Sequence, residues 1–290
     1  MMGGSATLSI LGGGAQVLVD CWTFLHELEQ LWSRFLPDSD VTRLNWAEGK
    51  SVDVDPRTTM LIAEMQSGYA RTAGLFDPTM LPAVIAAGYS TSRVDPARVT
   101  DLPASATSPG RIDLAVVSGT TVTLPTGTTI DPGGIGKGLA ADLVSDFALG
   151  RGAWGIMAEI AGDVRVTGEA PDGVAWRIGV ENPFTAGSHT DVVRVPDGGV
   201  VTSSQRKRRL GENGKKHHLL NPATLDSAET DVQTVTVIAH TAAIAETLTK
   251  PGFIQSTADY LSWLVNQGAA GLVIDADGTH HESSNWGVYR

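Results

Sequence analysis

Asp131-Pro132-Gly133-Gly134-Ile135-Gly136-Lys137-Gly138 sets four glycines and one lysine between a strand-like run and a helix-like run. Glycine lets a backbone approach a ligand closely. The unpaired N–H groups and positive dipole end of a helix start favour an anion, and a lysine adds a full charge. Phosphate binding is the chemistry this composition suits. The spacing is not that of a nucleotide-triphosphatase loop, because no Ser or Thr follows Lys137 to hold magnesium, and it is not the dinucleotide fingerprint. A glycine-rich loop that merely turns the chain has the same local composition.

The elements around the loop follow from periodicity. Thr121-Val122-Thr123-Leu124 and Thr128-Thr129-Ile130 alternate like strands, and Leu139, Ala140, Leu143 and Ala148 make a helical stripe, so a helix is predicted to start at or just after Lys137. Ala6 to Leu11 reads as a strand. Leu18 to Leu36 reads as an amphipathic helix with Leu18, Cys21, Trp22, Leu25, Leu28, Trp32 and Phe35 in the core. Asp55 and Pro56 open a second helix to Ala73, as N-cap and first-turn proline. A third is predicted over Pro78 to Ala86, and Tyr89 to Pro109 reads as loop. Strands are expected at Gly155–Met157, Val164–Thr167, Trp176–Val180, Asp191–Val195, Val232–His240 and Gly271–Ile274. Helices Ala242–Lys250 and Gln255–Gln267 fall between the last two.

Composition limits the class. The 290 residues are 42% hydrophobic and 18% charged, enough for one large core or two modest ones. A formal net charge of −11 argues against a nucleic-acid partner. Six of 21 basic residues nevertheless crowd into Arg206–Lys216, where Gly211-Glu212-Asn213-Gly214 reads as a turn; this is either a solvated hairpin or a patch for an acidic partner. A single cysteine, Cys21, excludes an intrachain disulfide and a cysteine metal cluster. No stretch reads as a signal peptide or membrane span, so the expectation is a cytoplasmic protein without a transmembrane segment.

Several segments then fall into one order: Met2-Gly3-Gly4, Ser39 through Asn45, Gly74-Leu75-Phe76-Asp77-Pro78-Thr79 with Pro82, the opening loop through Asp142, Gly162-Asp163, Trp176-Arg177-Ile178-Gly179 with Pro183, Thr202-Ser203, and His218-Leu219-Leu220-Asn221-Pro222. In this order they resemble the FAD:protein FMN transferase family, also called ApbE-like, over nearly the whole chain. The resemblance implies a single α+β domain over residues 1–290, with largely antiparallel sheets covered by helices and the flavin in a cleft between lobes. It implies a transferase that moves FMN from FAD to a Thr or Ser hydroxyl through a phosphodiester bond and releases AMP. The partner would be a client flavoprotein with an Asp-x-x-Ser/Thr-Gly-Ala-Thr-like motif. Hydrolysis of FAD to FMN and AMP without a client, or FAD binding alone, are the alternatives.

Carried over motif by motif, the resemblance makes Lys137 a pyrophosphate contact and Met2, Ser39, Asn45, Asp77, Asp142 and Ser203 cofactor contacts. Gly134 matches a position whose carbonyl ligates magnesium. His218 matches the candidate catalytic histidine; an imidazole titrating near neutrality suits proton removal from a hydroxyl. The family pattern has an Asp and, four residues on, a Thr, both on magnesium; this chain has Glu246 and Lys250 there. Glu246 and Lys250 could pair on a helix face. Alternatively, Glu246 keeps a metal while the Lys250 ammonium, a catalytic candidate, replaces part of the cation's charge. Further departures are Ala161 before Gly162-Asp163, Ser204 after Ser203, and Leu225 after Thr224, each where the family commonly has glycine.

Overall fold

The computed structural model describes residues 3–92, 94–206, 209–210 and 216–290, with backbone alone at 209, 210 and 216. Strand β1 (Ala6–Gly12) runs into helix α1 (Ala15–Trp32). Between them Gly12, Gly13 and Gly14 all have positive φ, which is why this turn is glycine. The buried stripe of α1 is Val17, Cys21, Leu25, Leu28 and Trp32. Its helix starts earlier than the pattern suggested, and Leu18 faces outward at 39% exposure, because Val17 holds the inward position instead.

Helix α2 (Asp40–Asn45) precedes strand β2 (Ser51–Asp53) and helix α3 (Pro56–Arg71). As expected, Asp55 caps α3 through the Arg57 N–H and Pro56 takes the first turn. Helix α4 (Leu81–Ala86) begins three residues later than expected. Asp77 Oδ1 accepts from the Thr79 N–H at 2.8 Å and the Thr79 hydroxyl at 2.5 Å, a local turn that competes with helix over Pro78–Met80. Strands β3 (Val116–Ser118) and β4 (Thr121–Thr123) join β2 in an antiparallel sheet ordered β2-β4-β3. Thr128–Ile130 is not a strand. The Asn45 amide takes the place of a partner strand there, accepting from Ile130 N–H at 2.7 Å and donating to its carbonyl at 3.0 Å.

Helix α5 (Gly136–Gly150) leads to β5 (Ala153–Ile160), β6 (Asp163–Gly168), β7 (Trp176–Glu181), β8 (His189–Val195) and β9 (Gly198–Ser204). Short pairs follow: β10 (Arg209–Leu210) with β11 (Lys216–His217), and β12 (Leu220–Asn221) with β13 (Asp226–Ser227). The basic stretch is thus flanked by a β-pair, while its turn, Gly211–Gly214, lies outside the described residues. The chain ends through β14 (Val232–Ala239), helices α6 (Ala242–Leu248) and α7 (Thr257–Asn266), β15 (Ala270–Asp275) and β16 (His280–Glu282).

Seven strands form the main sheet in the order β1-β5-β6-β9-β14-β15-β16, antiparallel at every recorded pairing. All of β14 is buried, as a strand between two packed faces should be. Alternation divides its side chains. Val235 and Val237 join the core under the helices, whereas Ile238 joins the core under the β7–β8 hairpin. The hairpin alternates cleanly, with Trp176, Ile178 and Val180 inward and Arg177, Gly179 and Glu181 outward. This is the expected α+β class with largely antiparallel sheets covered by helices. Strand β9, absent from the sequence expectation, lies at its centre. No described helix is long and apolar enough to cross a membrane.

Candidate functional site

The glycine loop folds as a short 3₁₀ turn, Pro132–Gly134, and after Ile135 as α5, which starts at Gly136, one residue before the predicted start, so Lys137 sits in the first helical turn. Asp131 caps the turn through the Gly133 N–H at 3.0 Å. No side chain caps α5 from its N-cap position, Ile135. The cap comes from α6 instead: Glu246 Oε2 accepts from the Gly138 N–H at 2.8 Å. Asp142 of α5 returns the interaction, its two oxygens accepting from the Ala242 and Ala243 N–H groups of α6 at 2.9 and 2.8 Å. The two helices therefore cap each other's N-termini, satisfying orphan donors on both sides. Glycine at 138 permits the approach, since a Cβ there would lie 2.4 Å from the Ala242 carbonyl oxygen.

Lys137 closes this interlock. Its ammonium donates to Glu246 Oε1 and Asp163 Oδ2, with side-chain exposures of 15% for Lys137, 0% for Glu246 and 4% for Asp163. Asp163 is delivered by the β5–β6 turn, where Ala161 and Gly162 have φ of 53° and 95°, the two left-handed residues of a two-residue hairpin. Burial pushes the Asp163 carboxyl up to about 6, against the pull of Lys137. For Lys137, burial alone would lower the ammonium; the charges of Asp163 and Glu246 outweigh it and raise the group above the usual lysine range. Asp142 rises to about 7, chiefly by burial, although its backbone donors and Arg165, with Nε 3.3 Å away, oppose the shift.

Two cavities meet at this loop. The first, about 200 Å³, is lined by Asp77, Gly134, Lys137, Ser203, His218 and Lys250 among others. The second, about 270 Å³, lies on the α1 side and takes Trp32, Phe35, Leu36 and Tyr89 into its wall. Lys250 Nζ donates to Ser203 Oγ at 3.2 Å and Thr249 Oγ1 at 3.1 Å, and those hydroxyls are 2.7 Å apart. Thr249 in turn donates to the Glu246 carbonyl at 2.7 Å, which orders the set. Gly134 is adjacent; a Cβ on it would lie 3.4 Å from Lys250 Cε. The His218 ring presents edge to face with Tyr89, centroids 6.2 Å apart. Asp77 is raised by burial, with Thr79 pulling the other way.

Six expected site residues thus share one cleft. Three others have their polar atoms on backbone: Ser39 caps α2 through the Thr42 N–H, Asn45 braces Ile130, and Asp142 caps α6. Met2 lies outside the described residues. The Glu246–Lys250 helix pair, one of the two readings of these positions, gives way to a different use of both: Glu246 is fully buried with one oxygen on Lys137 and the other on Gly138. Lys250 lies beyond the last residue of α6 and reaches the Ser203 hydroxyl. Magnesium, implied by the resemblance, fits this donor set poorly. Both Glu246 oxygens already hold hydrogen bonds, Asp163 is paired with Lys137, and an ammonium stands where the family has a neutral ligand. Two residues lining the cleft that the sequence did not single out are Asp163, visible only as part of the Gly-Asp motif, and Arg34, for which there was no signal.

An FAD:protein FMN transferase of Vibrio cholerae is 27% identical over 221 residues, spanning 74% of this chain and 66% of its own length. The protein of the same name from Treponema pallidum is 26% identical over 258 residues, 82% of this chain and 70% of its own. The ApbE protein of Thermotoga maritima has the same fold, with a TM-score of 0.84 at 24% identity over 97% of this chain and 95% of that one. The apo flavinyl transferase ApbE of Pseudomonas stutzeri gives a TM-score of 0.81 at 22% identity, covering 100% and 94%. At these identities the structures speak for the fold alone. The sequence profile of the ApbE family matches residues 2–273, and the chain belongs to that family.

Proposed function

We propose that the protein transfers FMN from FAD to a Thr or Ser hydroxyl of a client flavoprotein, with release of AMP. The observation that carries this reading is the convergence of Lys137, Lys250, His218 and Ser203 on one cavity that shares the wall at the glycine loop with a second, aromatic-lined one. A dinucleotide has the shape and the central anionic charge for such a pair of cavities. Its name in the relatives of Vibrio cholerae and Treponema pallidum agrees with this.

The client hydroxyl oxygen forms a bond to the FMN phosphorus as the bridging P–O bond to AMP breaks. His218 takes the hydroxyl proton. Lys250 offsets charge on the phosphate oxygens, its ammonium held by Ser203 and Thr249, and it supplies part of what a metal provides elsewhere in phosphoryl transfer. Lys137 contributes from the loop while holding Asp163 and Glu246 behind it. Ser39, Asn45 and Asp142 act through the backbone they brace rather than on the ligand.

Incubation with FAD, with and without a client protein carrying an Asp-x-x-Ser/Thr-Gly-Ala-Thr-like motif, tests the reading. Transfer gives AMP and covalent flavin in equal amounts, and only with client. AMP and free FMN without client would instead assign a hydrolase, and FAD retained unchanged would assign a binding protein.

A further inference from the structure

Arg34 follows α1 and lines both cavities, yet no motif marked it. Its side chain is 9% exposed. Nη2 donates to the Tyr89 carbonyl at 2.6 Å and Nη1 to Thr100 Oγ1 at 2.7 Å, while the guanidinium carbon lies 4.2 Å from the Phe35 ring centroid. The charge is therefore fixed in place. Nε is 3.6 Å from Asp131 Oδ1, an ion pair too long for a hydrogen bond. A guanidinium has five N–H donors, so two hydrogen bonds leave donors for a ligand.

The walls of the two cavities share Arg34, Tyr89, Asp131, Gly133 and Lys137. This is the waist between them, and its two cations are Arg34 and Lys137. Lys137 already faces two carboxylates, Asp163 and Glu246, whereas among the described residues Arg34 pairs with Asp131 alone, across a longer gap. Arg34 is thus the less neutralised charge at the waist. A ligand that spans both cavities must pass its middle through here, and for FAD the middle is the pyrophosphate. Guanidinium suits phosphate oxygens better than a point charge does, because its planar donors can bind two at once.

We infer that Arg34 binds the pyrophosphate of FAD at the junction of the two cavities. The inference rests on the reading of FAD as substrate and adds to it a residue that decides for a diphosphate over an uncharged flavin. It also explains why a buried arginine is tied down on two sides. A guanidinium anchored to Tyr89 and Thr100 is preorganised for its ligand.

The test is binding of FAD and of ADP, which carries the diphosphate without flavin, to the full chain and to Arg34→Gln, which keeps donors for Tyr89 and loses the charge. Both ligands should weaken by about tenfold or more. Thr100→Val removes one anchor but leaves the charge, and should bind FAD within about twofold of the parent protein. Unchanged FAD and ADP affinity in Arg34→Gln overturns the inference. So does a loss in Thr100→Val equal to that in Arg34→Gln, which would assign Arg34 to holding the loop alone. A parent protein that binds no FAD would instead sink the functional reading itself.

Discussion

The floor of the cleft and the wall facing it are built by opposite means. The floor is two helices, α5 and α6, locked by reciprocal carboxylate caps and a buried lysine between two acids. The wall is a segment around Tyr89–Thr100 with one isolated bridge, Thr91 to Val99, tied to α1 through Arg34, and the stretch carrying His218 between two-residue strands. Buried charges are costly to strand, so floor residues are stability determinants. On the wall, His218 is half-buried between two-residue strands, so its chemistry can change with less effect on folding than loss of a floor charge.

Removing the central ion breaks the floor most severely. Lys137→Met leaves Asp163 and Glu246 buried beside each other without their cation, and should cost about 3–5 kcal/mol of unfolding free energy in urea titration. A cost below about 1 kcal/mol would mean that the acids find other partners and that the floor is not held by charge. On the wall, His218→Ala should keep the parent protein's unfolding free energy to within about 0.5 kcal/mol and its FAD affinity, while transfer to client falls by about 10²-fold or more. If folding and transfer fall together, the contrast between floor and wall fails.

Asp142→Ala strands the Ala242 and Ala243 N–H groups and should cost about 2 kcal/mol, lowering transfer because α6 carries Glu246 and leads into Lys250. The same residue sets a pH dependence. Its folded pKa, raised to about 7, lies above its unfolded value, so the stability it contributes is fully present below the unfolded pKa and is lost as pH rises through about 7. Urea titrations from pH 4 to pH 8 should show that slope in the parent protein and a flatter one in Asp142→Asn. An identical slope in both would show that Asp142 does not titrate there.

The smallest effects concern strain. Ala161 and Leu225 have φ of 53° and 60°, the left-handed region, at two of the places where the family resemblance led to an expectation of glycine. Ala161→Gly in the turn that delivers Asp163, and Leu225→Gly in the β12–β13 turn, should each raise unfolding free energy by about 0.5–1 kcal/mol. A loss of stability in either would mean that its side chain packs well enough to repay the strain.

What could be read from sequence divides along the same line. The glycine loop, α5 and the Asp55-Pro56 start of α3 carry local signals, namely backbone freedom, apolar stripes and capping, and the structure has all three. The core strand β9 was missed because Gly198 and Gly199 open it and Thr202-Ser203-Ser204 close it, a composition that reads as loop until neighbours bury it. Asn45 and Asp142 could be picked out as important polar residues, but which atoms they bond depends on segments 85 to 101 positions away, whereas Ser39 caps its own helix. Arg34 was invisible for the same reason, since its partners Tyr89 and Thr100 come from a loop with no periodicity.

We propose that the Lys250 ammonium supplies part of the charge that a metal cation supplies in the family pattern. Transfer of FMN from FAD to client in excess chelator, set beside the same assay with magnesium, measures this most directly. AMP release and covalent flavin should persist in chelator within about threefold of the magnesium rate. Complete loss in chelator, restored by magnesium, would contradict the account and return Glu246 to the metal.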